Sequence, residues 1–347
     1  MNPNGTTAEA TAPGGSTNNY SYRELLDLRL PPERPLVSGL IGENSANIWG
    51  APPYTGKTWL VLATLRAIAS GTLFAGYFET VQASVLLVDE ESNLRGLVDR
   101  LQAMERADPL GRDLPLHVVI GNGIRVDDGD GLQRLGGLIH EYRPKLVVGD
   151  SLTRLHGANE NSAGEMAAVF DNLKRLMWGY DCSVLLTDHV RKRGLINDPE
   201  ERLRGSIEKR AWPDAVLDID ADPDDRSALV VTTTKSRYQK RLDPFRLRLD
   251  IDSDAGTAAV SYLGEAVSPS KVTRGNEIIV AIHEVIAQAG PDAADASTLA
   301  AWLNVTPKTV RKHADALVKA GLITTCAVRS GASGGPAKTT YLVKEPV

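Results

Sequence analysis

The sequence predicts an α/β protein with a mostly parallel sheet, followed by a smaller, mainly helical domain. Three observations carry this. Seven short β-rich runs alternate with helical patterns between Tyr20 and Tyr262; the first run leads into a loop ending Gly56-Lys57-Thr58; and periodicity lapses near 264–274 before three further helical stretches.

Taken in order, residues 1–19 are small, polar and aperiodic, too poor in apolar side chains to repay the entropy of ordering, and a disordered tail is expected. The β-rich runs are Ala46 to Ile48, Ser84 to Val88, Leu116 to Ile120, Lys145 to Asp150, Cys182 to Asp188, Ala215 to Ile219 and Leu229 to Thr233. In such sheets ligands gather at the carboxyl ends of the strands. The expected layout is a first domain over 20–264, a linker over 265–275 and a second domain over 276–347.

The loop after the first run reads Gly50-Ala51-Pro52-Pro53-Tyr54-Thr55-Gly56-Lys57-Thr58-Trp59. A strand, a tight turn and a helix start gather free backbone N–H groups around an anion. Lys57 then reaches the β- and γ-phosphates of a nucleotide and the Thr58 hydroxyl holds Mg²⁺. The spacing departs from the strict P-loop pattern, which wants glycine at 51 and finds Ala51, with Gly50 one step early. Asp150 ends the apolar run Leu146-Val147-Val148-Gly149, where a carboxylate facing the P-loop would serve Mg²⁺. A second run ends in Asp89-Glu90-Glu91-Ser92-Asn93. These acids are either solvated loop charge or include a base that orients the water attacking a γ-phosphate.

With these pieces the chain resembles RecA-like hexameric helicases, and specifically RepA-type replicative helicases and their AAA-family relatives, over roughly residues 36–250. Glu91-Ser92 and Arg100-Leu101 are similar to that family's acid and Arg-Leu positions, with Glu90 as the rival for the catalytic acid. Val184 to Lys192 resembles the strand ending in His-His-x-x-Lys; His189 takes the place of its second histidine, a γ-phosphate sensor, and Asp188 replaces the first. Leu203-Arg204-Gly205-Ser206 resembles the Arg-Gly-Ser element. Thr234-Lys235-Ser236-Arg237 resembles a Lys-x-Arg element, so Lys235 and Arg237 are implied to act on a neighbouring subunit's nucleotide. The resemblance implies a RecA-like P-loop core, ATP and Mg²⁺ as cofactors, a homo-oligomer such as a hexameric ring, and single-stranded DNA in its channel.

Two loops follow the Asp150 and His189 strands. The second carries seven basic side chains against four acidic ones between Arg191 and Arg210. It reads as a solvated mixed-charge loop or, on the resemblance, as a contact to single-stranded phosphates through Arg191, Lys192, Arg193 and Arg202.

In the smaller domain, Ile278, Ile279, Ile282, Val285 and Ile286 mark one helix, Ser297 to Leu303 a second, and Thr306 caps a third that opens at Pro307. Val310, Ala314, Leu317 and Val318 face inward in that third helix. Helix, three-residue turn, helix is the helix-turn-helix spacing. Leu322 to Thr325 and Thr339 to Val343 flank a Gly-rich loop like the strands of a wing, so this domain looks like a winged helix. Residues 304–347 hold seven basic against two acidic side chains, a net +5. Lys308, Thr309, Arg311, Lys312 and Arg329 are the candidate contacts to duplex DNA; protein contact is the other use of such a domain.

Composition narrows the classes. Of 347 residues 42% are apolar and 24% charged, with a net charge of −5, so the chain is not basic throughout. No run approaches the ~20 apolar residues of a membrane span, and the start lacks a signal-peptide pattern, which makes a cytoplasmic protein the expectation. Cys182 and Cys326 lie far apart and read as two buried thiols. The functional expectation is an ATP-hydrolysing DNA-binding protein acting in DNA replication; the alternative is a DNA-binding regulator whose nucleotide only switches its state.

Overall fold

The computed structural model describes residues 19–111, 113–190, 203, 205–222, 225, 227–266, 269–303, 305–319, 323–328 and 338–343. The expected disordered tail falls, but for Asn19, outside these residues. By compactness the chain divides into Met1–Glu33 and Arg34–Val347, so the first unit takes in residues 20–33, which the sequence assigned to the main domain. It holds one short helix, α1 (Tyr22–Asp27), started by a capping box in which Ser21 and Glu24 satisfy each other's backbone N–H.

The larger unit is built on a nine-stranded sheet. Its strands are β1 (Ala46–Ala51), β2 (Val85–Asp89), β3 (Leu116–Ile120), β4 (Leu146–Asp150), β5 (Ser183–His189), β6 (Ala215–Ala221), β7 (Ala228–Ser236), β8 (Phe245–Asp252) and β9 (Thr257–Glu265), in the order β3-β2-β4-β5-β1-β6-β7-β8-β9. Strands β1 to β6 pair in parallel, and β7, β8 and β9 continue as an antiparallel meander. This is the RecA-like P-loop fold. Strands β8 and β9 were absent from the predicted runs, although Phe245-Arg-Leu-Arg-Leu-Asp-Ile-Asp alternates apolar with charged residues as a half-covered strand should.

The central strands are buried on both faces, and their side chains divide between two cores. Leu146, Val148 and Leu185 join Trp49 under α2 (Lys57–Ser70) and α3 (Leu94–Ala107). Val147, Val184 and Leu186 turn the other way, against α4 (Gly129–Tyr142) and α5 (Ala163–Tyr180) through Leu135, Ile139, Phe170 and Leu173. With both faces covered, the carboxyl edge is where β1, β2, β4 and β5 can present side chains together. Between β5 and β6 lies the one-turn helix α6 (Glu208–Ala211).

After β9 come α7 (Pro269–Ala289), α8 (Ala296–Trp302), α9 (Pro307–Lys319) and the antiparallel pair β10 (Ile323–Val328) and β11 (Lys338–Val343), with Ile323 opposite Val343. Helix α7 begins inside the stretch expected to be linker, with proline at its first position, where the missing N–H costs nothing. Ile278, Ile282, Val285, Leu299, Val310, Ala314 and Leu317 form a core separate from the two around the large sheet. Val318, expected inward, is 37% exposed, since it lies one residue past the buried stripe. Cys182 is buried, and burial beside Asp181 pushes its thiol up to about 11. Cys326, expected buried too, is exposed on β10, in a two-stranded sheet with less to cover it. No helix among the described residues is long and apolar enough to cross a membrane.

Candidate functional site

The strand β1 runs three residues further than its apolar pattern suggested, to Ala51, and this changes the roles of two residues expected to line the phosphate loop. Gly50 and Ala51 are the last residues of β1 and are buried. Ala51 packs in the core beneath α2, so its methyl group is spent on the core rather than on the loop. A Cβ on Gly50 would stand 2.5 Å from Val190 Cγ1, so glycine lets β1 and the chain after β5 approach closely.

The loop proper is Pro52 to Gly56. Thr55 donates its hydroxyl to the Pro52 carbonyl at 2.8 Å, closing the turn, and Gly56 at φ +92° precedes α2 in the left-handed conformation that glycine accepts. A cleft of about 640 Å³ opens here, lined by Pro52 through Trp59 and, across from them, by Glu91, Ser92, Asn93, Gly96, Arg100 and His189. Tyr54 projects fully into solvent. The Arg100 guanidinium lies 5.9 Å from the Trp59 ring centre, a cation–π distance that sets a second cation in the cleft.

Beneath the loop, Lys57 is 8% exposed and its Nζ has no hydrogen-bond partner; Asp150 Oδ1 is 3.9 Å away. A buried ammonium without a bonded partner is costly, and an anion entering the cleft would match it. Thr58 donates to Asp150 Oδ2 at 3.0 Å, and Thr187 donates to Asp150 Oδ1. Burial pushes the Asp150 carboxyl up, opposed by Lys57 and by these hydroxyls. Thr58 and Asp150 thus present oxygens beside Lys57, a donor set that suits a hard divalent cation next to phosphate.

The three acids at the end of β2 separate into three jobs. Asp89, fully buried, accepts the N–H groups of Glu91 at 3.0 Å and Ser92 at 2.7 Å, shaping the turn. Glu90 turns away and accepts from Gly123 at 2.9 Å and Ile124 at 3.0 Å, tying down the loop after β3. Glu91 points into the cleft, its Oε1 3.6 Å from His189 Nε2. Burial raises its pKa, but the Ser151 hydrogen bond and the nearby Lys57, His189 and Arg154 outweigh that and hold the carboxyl below its ordinary value. The sequence reading missed Ser151 and Thr187, whose small hydroxyls orient the two acids. The Thr187 in Leu-Leu-Thr-Asp-His was a polar residue within an apolar strand, the one available signal.

Lys235 and Arg237 lie elsewhere. Ser236 pairs with Ala215, and Asn47 with the same residue, so they stand at the amino end of β1. Five residues of strand, about 16 Å, separate that end from the P-loop. Arg237 binds Asp214 Oδ1 at 3.0 Å and the Ala211 carbonyl at 3.1 Å; Lys235 binds the carbonyls of Arg210 and Ala211 at 2.7 and 2.8 Å. Burial and the adjacent Arg237 lower the Lys235 pKa. Neither cation meets the cleft of its own chain.

Arg191, Lys192, Arg193, Arg202 and Arg329 lie outside the described residues. On α9, Lys308, Arg311 and Lys312 are exposed and Thr309 is half-buried, with Thr306 capping the helix through Thr309 N–H at 3.3 Å.

Fold and cleft together define a P-loop ATPase core of RecA-like topology. The family model of an AAA domain matches residues 19–194, and the chain belongs to that AAA domain family. None of the curated proteins matches it. Among solved structures it is similar to a DnaB-like replicative helicase described with its interactions with primase, at 14% identity over 62% of this chain and 57% of that one, with a TM-score of 0.47. It is also similar to a KaiC-like protein from the hyperthermophilic archaeon Pyrococcus horikoshii, at 17% identity over 67% of this chain and the whole of that one, with a TM-score of 0.44. The chain spans little more than half the length of the helicase.

Proposed function

We propose that this protein hydrolyses ATP in the cleft between the P-loop and Glu91 and couples the reaction to DNA, in the manner of the RepA-type replicative helicases it resembles in sequence. The observation that carries the ATPase reading is Lys57: its buried Nζ lacks a hydrogen-bond partner and faces a cleft whose opposite wall holds Glu91 and His189.

In this reading Lys57 and the N–H groups at the start of α2 receive the β- and γ-phosphates. Thr58 and Asp150 would hold Mg²⁺, whose chemistry is to neutralise charge on the phosphate oxygens. Glu91, kept ionised by Ser151 and the surrounding cations, orients the attacking water and takes its proton. His189, 3.6 Å from Glu91, reports the presence of the γ-phosphate to the end of β5. Arg237 and Lys235, a strand's length from their own P-loop, serve a neighbour's nucleotide in a homo-oligomer, of which a hexameric ring is the form the resemblance implies.

For DNA, the three helices and two-stranded sheet from residue 269 onward suit a winged helix that lays the Lys308, Thr309, Arg311 and Lys312 face of α9 on duplex, with Arg329 a further candidate contact. Arg191, Lys192, Arg193 and Arg202 would meet single-stranded DNA. Lys57→Ala should abolish turnover while the protein stays folded; turnover equal to wild type would sink the assignment. Stimulation of the wild-type rate by single-stranded DNA supports a motor, and a rate indifferent to DNA favours a nucleotide-switched regulator.

A further inference from the structure

Lys209 has no exposed side-chain surface, an expensive place for an ammonium group. Its Nζ donates to Asp188 Oδ2 and to Glu160 Oε2, each at 2.9 Å. Asp188 immediately precedes His189, and its other oxygen accepts the His189 backbone N–H at 2.8 Å. Glu160 belongs to the loop that follows β4, and its carbonyl accepts the Ser206 N–H at 2.7 Å. Gly205 sits at φ +88°, and a Cβ there would stand 2.5 Å from the Glu160 oxygen, so turn and loop touch backbone to backbone.

One ammonium group therefore joins three segments distant in sequence: the end of β5, the loop over 155–161 and the start of α6 with its Gly205-Ser206 turn. Stability alone is a weak reason for such a cluster, because neutral side chains of the same shape are often as stable as a buried ion triad. Its geometry suggests a stronger one. A contact that shifts His189 pulls on the N–H held by Asp188, and Asp188 is held by Lys209.

We infer that Lys209 is a positioning residue that locks the end of β5, the 155–161 loop and the Gly205-Ser206 turn into one unit, so that nucleotide contact at His189 and Glu91 is passed to both loops together. The inference rests on reading the cleft as the nucleotide site.

The test uses the full chain and a non-hydrolysable ATP analogue with Mg²⁺, reading binding by titration and amide hydrogen exchange in residues 155–162 and 205–211. In wild type, binding should slow exchange in both segments by about tenfold or more. The neutral triple variant Glu160→Gln/Asp188→Asn/Lys209→Met keeps the shape without burying charge; it should bind the analogue within about threefold of wild type and lose the slowing in 155–162. Gly205→Ala, which forces the turn away from Glu160, should lose it too, and serves if the triple variant fails to fold. A triple variant that keeps the full slowing, or a wild type that binds the analogue with no change in either segment, overturns the inference. A wild type that binds no analogue overturns the nucleotide reading itself, and the titration tells the two failures apart.

Discussion

Glu90 and Glu91 are adjacent carboxylates with opposite expected behaviour on amidation. Glu91→Gln preserves size and can keep a hydrogen bond with Ser151, yet removes the group able to accept a proton. Losing a positioned general base costs about 10²–10⁴ in rate, or about 3–5 kcal/mol of barrier. Glu90→Gln is a different perturbation. Both Glu90 oxygens accept backbone N–H groups, from Gly123 and Ile124, and a glutamine must present an NH₂ to one of those donors. An unsatisfied charged-type hydrogen bond costs about 1–3 kcal/mol, which falls on folding rather than on the reaction. Single-turnover phosphate release, with nucleotide affinity and melting measured in parallel, separates the cases. Glu91→Gln should melt close to wild type, bind nucleotide and lose at least about 10²-fold in turnover; Glu90→Gln should melt lower and keep turnover within about tenfold. If Glu90→Gln carries the 10²-fold loss and Glu91→Gln does not, the role assigned from the cleft geometry is wrong.

Other outcomes follow from the same geometry. Mixing Arg237→Ala subunits with Lys57→Ala subunits should restore part of the hydrolysis at mixed interfaces; a mixture inactive at every ratio argues against catalysis between subunits. The paired change Arg311→Ala/Lys312→Ala in the full chain should weaken duplex binding and flatten its salt dependence by about two counterions' worth, measured by anisotropy at two salt concentrations; an unchanged slope would turn α9 toward protein contact. Because the Glu91 carboxyl is held below its ordinary value, its ionised form persists as pH falls, and turnover should not lose Glu91 between about pH 8 and about pH 6. A step in that range that disappears in Glu91→Gln would contradict the assigned environment.

What the sequence made legible was local. The Gly56-Lys57-Thr58 loop, the acid-tipped β4 and the Pro307 helix start are each specified by neighbours in the chain, through a forced left-handed turn, an apolar run and a missing N–H. Their positions in the structure follow directly. The alternation of β8 was equally legible but marks a half-covered antiparallel strand rather than one of the apolar runs of a parallel sheet. Strand ends were less so: β1 extends to Ala51 because Val190 packs against Gly50, a contact between segments over a hundred residues apart that no local pattern encodes.

The side-chain assignments that sequence left open turned on such distant contacts. Glu90 and Glu91 are chemically alike and adjacent; only the loop after β3, whose N–H groups at Gly123 and Ile124 need an acceptor, makes one of them structural and leaves the other in the cleft. The same holds at Asp188. Where the related pattern has histidine, an aspartate at a fully buried strand end would be an unpaired charge, and it is tolerable here because Lys209, twenty-one residues on, reaches it. The aspartate and the lysine are thus one feature written in two places. Lys209 is one of seven bases in a loop whose phosphate contacts were assigned to Arg191, Lys192, Arg193 and Arg202; in the fold it is the counter-ion that permits Asp188, and a chain carrying that aspartate without the lysine would bury an uncompensated charge beside His189.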